Sequence, residues 1–351
     1  MRKLICLAFV LPWTAAGESQ APALRLEPVR KLGPYPDVAR KAIGLTWDRS
    51  GVLWSYGLED FKTHLPRLYR FIPGVPEATE IRFDLAQAGI PSPFEIVPNL
   101  FARGDGDVFF PVVWRDVEFQ AAVVRVSAGG RVSSVRLMPP VMARHVAVRD
   151  DGSFVVLGID GGFFSGRENR CHLLHVYSAD GRRLDSLSPC PDHGVAGSSA
   201  SRREGVDFHL LQQDVDPGQL WLDGDRLCHL LPASREIRIF SASHLLLRTI
   251  RLQAPDSGAR GLVVRRLLPL QDGYLVFWMS RRGLATQTET VAVVAALHDL
   301  DGGLRSRPAS AREFGSLRPV AVTEHGELIC WQQDTASGNR YIVTARVALW
   351  R

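Results

Sequence analysis

His145-Val146-Ala147-Val148-Arg149-Asp150-Asp151-Gly152-Ser153-Phe154-Val155-Val156-Leu157 holds two apolar strands joined by a tight turn that ends on glycine. Beyond a loop come Leu173-Leu174-His175-Val176-Tyr177, the turn Asp180-Gly181, and Arg182-Arg183-Leu184-Asp185-Ser186-Leu187. Together these predict four consecutive strands, A to D, of one small antiparallel sheet.

The same unit recurs along the chain. Glycine closes an expected A-to-B turn at Gly51, Gly106, Gly152, Gly218, Gly273 and Gly326. Behind these turns stand apolar second strands such as Val52-Leu53-Trp54, Val108-Phe109-Phe110, Leu220-Trp221-Leu222 and Leu328-Ile329-Cys330-Trp331. They do not alternate with polar residues, so both of their faces must be covered. Blades stacked radially supply that cover. A parallel α/β sheet would need amphipathic crossover helices, and glycine-rich turns occupy those places. Fourth strands such as Arg131-Val132-Ser133-Ser134-Val135-Arg136-Leu137 interleave polar and apolar residues, as suits an outer edge facing water. The expectation is an all-β, six-bladed β-propeller of four-stranded antiparallel blades.

The sixth unit lacks a fourth strand after Tyr341-Ile342-Val343-Thr344-Ala345-Arg346-Val347-Ala348-Leu349-Trp350, while a spare edge-type strand, Leu24 to Leu32, precedes the first unit. That spare strand is expected to complete the sixth blade and close the ring, with Pro28 tolerated on an edge. A single domain is expected over residues 23–351. These glycine-turn repeats, with the Asp180-Gly181 and Asp301-Gly302 hairpins, resemble the NHL-like six-bladed propellers over nearly the whole of that span. The resemblance implies a fold whose known functions range from peptide or glycan binding to lactone hydrolysis and lyase chemistry.

Arg2 and Lys3, the apolar run Leu4 to Trp13 and the small residues Ala15 and Ala16 have the layout of a secretory signal peptide over residues 1–16, followed by a short leader at 17–22. The run is shorter than the roughly 18 residues a membrane span needs, and no later segment is apolar enough to cross. Export to the periplasm or extracellular space is expected. The formal charge of +5 is spread among acidic residues, which argues against nucleic-acid binding. A monomer is expected.

Four cysteines follow the signal segment: Cys171, Cys190, Cys228 and Cys330. A two-residue Asp180-Gly181 turn pairs Ala179 with Arg182 and, counting outward, Cys171 with Cys190, close enough for a disulfide in an oxidising compartment. Cys228 and Cys330 read as buried small hydrophobes.

In a propeller the B-to-C and D-to-A loops share one face, and here those loops are long, at 57–66, 158–170, 189–207, 280–290 and 333–340. That face is the candidate site. Arg144, His145, Asp207, His209 and Arg318 fall near starts of first strands, which line the central channel there. Glu95, Arg202 and Arg203 join them as ligand-binding candidates. No catalytic set is complete: Phe164-Ser165-Gly166 is not a nucleophile elbow, and His172 and His175 point to opposite faces of a strand. Glu95 and Asp207 are too few oxygen donors for a built cation site, so no cofactor is expected, and a channel calcium or zinc ion has little support. The leading expectation is an exported propeller that binds a protein, peptide or glycan on its long-loop face. The alternatives are a lactonase- or esterase-like hydrolase or lyase at the channel, and a structural subunit of an envelope assembly.

Overall fold

In a computed structural model of the chain, the described residues are 21–32, 42–47, 52–57, 66–72, 75, 77–97, 99–116, 118–160, 172–189, 218–256, 262–280, 293–310, 312–323, 325–334 and 340–350. Strand β1 (Ala23–Leu32) precedes the first blade, which comprises β2 (Ala42–Trp47), β3 (Leu53–Gly57), β4 (Arg67–Phe71) and β5 (Thr79–Arg82). Blade 2 has a divided inner strand, β6 (Phe94–Ile96) and β7 (Phe101–Ala102), followed by β8 (Val108–Arg115), β9 (Phe119–Val126) and β10 (Val132–Arg136). Blade 3 contains β11 (Val141–Val148), β12 (Phe154–Asp160), β13 (His172–Tyr177) and β14 (Arg183–Pro189). Blade 4 is β15 (Gln219–Asp223), β16 (Arg226–Leu231), β17 (Glu236–Phe240) and β18 (Leu246–Arg251). Blade 5 is β19 (Leu262–Leu270), β20 (Gly273–Ser280), β21 (Val293–His298) and the short β22 (Ala309–Ser310). The last blade orders β23 (Leu317–Val322), β24 (Leu328–Gln333), β25 (Arg340–Trp350) and then β1.

The N-terminal strand closes the ring. β1 lies antiparallel on β25 from Ala23 opposite Trp350 to Leu32 opposite Ile342, with one bulge between Pro28 and Arg30. Leu24 is buried at 2% exposure among Leu297, Leu317 and Val343, so the clasp is anchored by apolar packing as well as by the ladder. At the centre, β7 touches β2 and β11, β11 touches β15, and β23 touches β19 and β2. Second strands are covered from both sides: Trp54, Phe110, Leu157 and Trp278 are all essentially inaccessible.

One turn is used repeatedly. Arg103, Ser127, Arg149, Ser178, Ser241, Asp299 and Thr323 each donate their backbone N–H to the carbonyl four residues on, and their carbonyl accepts from the N–H three residues on. The residue three on takes positive φ, and it is glycine in six of these seven turns and His244 in the other. The outer turns also lock blades together. The Met138 N–H donates to Gly181 O and the Gln253 N–H to Gly302 O, so the chain leaving one blade's edge is tied to the next blade's Asp-Gly hairpin. A Cβ on Gly181 would stand 1.9 Å from Arg136 O, so no other residue permits that approach.

Two expectations need correction. Leu220-Trp221-Leu222 belongs to the innermost strand of blade 4, and the A-to-B turn is the two-residue Gly224-Asp225 hairpin between Asp223 and Arg226. Gly218 serves a different purpose, since a Cβ there would meet Leu230 O at 1.8 Å. The Asp180-Gly181 turn is one residue longer than a type I′ hairpin, with Ser178 bonded to Arg182. A bulge between Val176 and Tyr177 then restores the expected register, giving Leu174 opposite Leu187 and His172 opposite Pro189. Cys171 and Cys190 lie outside the described residues, while Cys228 and Cys330 are free and buried.

Candidate functional site

The inner strands do not run straight through the ring. Pairing slips between Ala42 and Gly44, between Ala143 and His145, between Val264 and Arg266, and between Pro319 and Ala321. Each slip is a bulge, which frees backbone groups from the ladder and re-aims side chains. In blade 2 the inner strand breaks outright between β6 and β7, and Asn99 sits in the break.

Side chains from the neighbouring blade occupy the freed groups. Asn99 Nδ2 donates to Arg144 O at 2.8 Å, joining blade 2 to the bulge of blade 3. Arg266 donates to Val320 O and, at 3.4 Å, to Pro319 O, joining blade 5 to the bulge of blade 6. Gln219 bonds both backbone groups of Leu267, donating to its carbonyl at 2.7 Å and accepting from its N–H at 3.0 Å. The channel lining is therefore stitched blade to blade.

The charge that accumulates there is positive. His145 Nε2 lies 3.3 Å from Asn99 Nδ2, and burial, with the nearby charges of Arg144, His229 and Arg266, pushes its imidazole down to about 4. Arg266 is itself pushed below its ordinary value by burial and by Arg265 beside it. Among the described residues, the charged neighbours acting on His145 are basic.

Of the residues expected at this face, Arg144 and His145 come together at the blade 3 bulge. Glu95 is on β6 opposite Val113, half-buried. Arg318 is exposed on β23, and its Nη1 donates to Gly315 O at 2.8 Å and Leu317 O at 3.0 Å. Arg202, Arg203, Asp207 and His209 lie outside the described residues. Asn99, Arg265 and Arg266 were not singled out from the sequence, since a bulge leaves no mark in a string of apolar and basic residues.

A second polar cluster lies between blades 3 and 4. Ser188 Oγ is 3.0 Å from His229 Nδ1, and Arg238 Nη1 donates to the same Oγ at 3.1 Å. Ser188 and His229 are buried, and Ser188 has φ 56 within a strand. A third network, within blade 3, buries Asp160 against Arg183, with the Tyr177 hydroxyl donating to Pro139 O at 2.7 Å. His175 is packed beside it, and burial with the charge of Arg183 pushes that imidazole down to about 3. Among the described residues no group of three or more His, Cys, Asp and Glu could hold a metal ion.

No protein-family model and no curated protein matches the chain. Solved structures do. A candidate exported protein from Bacteroides fragilis aligns with TM-score 0.58 and 9% identity, over 92% of this chain and 95% of that one. A member of the duf4221 family from Bacteroides vulgatus aligns with TM-score 0.53 and 8% identity, over 94% of this chain and 98% of that one. At such identities the likeness is one of fold. Among the described residues no helix is long and apolar enough to cross a membrane.

Proposed function

We propose that the protein is an exported binding propeller that captures an acidic protein, peptide or glycan at the long-loop mouth of its channel. The carrying observation is that, among the described residues, Arg144, His229 and Arg266 around the blade 3 bulge all oppose protonation of His145, with Arg266 held across the neighbouring bulge. An anionic group entering there meets the Arg266 guanidinium, already fixed by its bonds to Val320 O and Pro319 O, which lowers the ordering cost of binding. Export is supported by the signal-like layout of residues 1–16.

The test is thermal denaturation with citrate, inorganic phosphate and an acidic glycan such as heparin, at constant ionic strength. A ligand at a hundred times its Kd stabilises by about 2.7 kcal/mol, and Arg144→Glu is expected to abolish the shift. No shift with any anion, or an equal shift in Arg144→Glu, would refute the reading.

A further inference from the structure

The pair Ser188 and His229 carries an inference beyond ligand capture; His229 also stands near His145, whereas Ser188 and Arg238 take no part in the anion site. Along β14, Asp185 reaches His244 of blade 4, while Ser186 Oγ meets His175 Nδ1 of its own blade at 3.2 Å. Strand alternation would send Ser188 to the same side as Ser186. Its φ of 56 turns it instead toward His229 and Arg238 of blade 4. Left-handed backbone is strained for a non-glycine residue, and such strain within a strand gathers at functional positions.

The hydrogen-bond directions follow from chemistry. A guanidinium only donates, so Arg238 Nη1 must give its hydrogen to Ser188 Oγ. With the His229 proton on Nε2, the serine's own proton points at Nδ1, 3.0 Å away. Arg238 is oriented by Glu236, whose Oε2 accepts from its Nη2 at 3.4 Å. The result is a hydroxyl with a base on its proton and a fixed cation on its oxygen, the two features that activate a serine.

We propose that Ser188 is a nucleophile for acyl transfer, with His229 as its general base and a carboxylic ester as the substrate class. In the first half-reaction Ser188 Oγ bonds to the acyl carbon as the bond to the alkoxide leaving group breaks. The serine proton passes to His229 Nδ1 and on to the leaving oxygen, releasing an alcohol. Water then attacks the acyl-serine, and its proton returns through Nδ1 to Oγ as the carboxylic acid departs. Arg238 holds negative charge on the oxygens around the attacked carbon.

The experiment uses the full chain and a fluorophosphonate probe, followed by peptide mass mapping. One adduct on Ser188 is expected, with labelling slowed about a hundredfold in His229→Gln. Ser188→Gly relieves the backbone strain while removing the hydroxyl, and is expected to melt no lower than the parent and to take no label. Where His229→Gln does not fold, the parent's labelling rate is expected to rise with pH as a single imidazole loses its proton. Folded protein that stays unlabelled, label on a different serine, or a pH-independent rate would each overturn the proposal.

Discussion

His244 of blade 4 places Nδ1 3.1 Å from Asp185 Oδ2 of blade 3 and Nε2 3.0 Å from Arg149 Nη1. It does so from φ 68, in the turn position that six comparable turns give to glycine. The side chain thus bridges two blades at the expense of a strained backbone. His244→Ala retains the strain and loses both contacts, whereas His244→Gly loses the contacts and the strain together. Chemical denaturation should find the alanine variant the less stable of the two by about 1 kcal/mol.

The clasp makes a larger prediction. Leu24→Ala leaves a cavity among Leu297, Leu317 and Val343 and should cost about 2–5 kcal/mol. Deleting residues 23–32 removes the whole outer strand of blade 6 and exposes the free edge of β25. A melting curve unchanged by that deletion would contradict ring closure by β1.

Stability should also fall with acid before the carboxylates titrate. His145 and His175 are held neutral in the folded state, at about 4 and about 3, by burial first and nearby positive charge second. The unfolded chain takes up those protons near pH 6.5, so their contribution is intact above that value. It is lost as pH falls toward the folded values, at up to about 1.4 kcal/mol per pH unit for each histidine. Melting temperatures measured from pH 7.5 to 4.5 should be flat and then decline, with a shallower decline in His145→Asn.

The ladder of β13 and β14 leads toward Cys171 and Cys190, since its outermost pair is His172 and Pro189. A disulfide between those two cysteines is expected in exported protein. Intact mass should rise by two hydrogen atoms on reduction, and alkylation of the unreduced chain should spare both. Two thiols freely alkylated at these positions would exclude the bond.

Much of this architecture was legible because its rules are local. A glycine before an apolar run marks a tight turn, a second strand apolar on both faces marks a buried layer, and an orphan amphipathic strand marks an open edge elsewhere. Blade 4 escapes these rules, because Leu220-Trp221-Leu222 is as apolar as any second strand and Gly218 looks like a turn. Only the approach of Leu230 O to Gly218 separates the two roles, and that contact lies between strands rather than along one. The site was less legible for the same reason. Asn99 with Arg144, Arg266 with Val320, and Ser188 with His229 each join two different blades. No spacing along the chain encodes such pairs.

β1 and β25 meet although they lie roughly 300 residues apart, so their pairing is among the last contacts a folding chain can make. Until then each presents an open edge whose natural partner is identical in every other molecule of the protein. At high concentration one molecule's β1 can settle on another's β25, and because each chain both offers and accepts a strand, the exchange can propagate. A trait that keeps a solitary molecule intact thus doubles as a coupling by which folding chains polymerise. Dilution during refolding is therefore expected to decide between closed rings and linked ones.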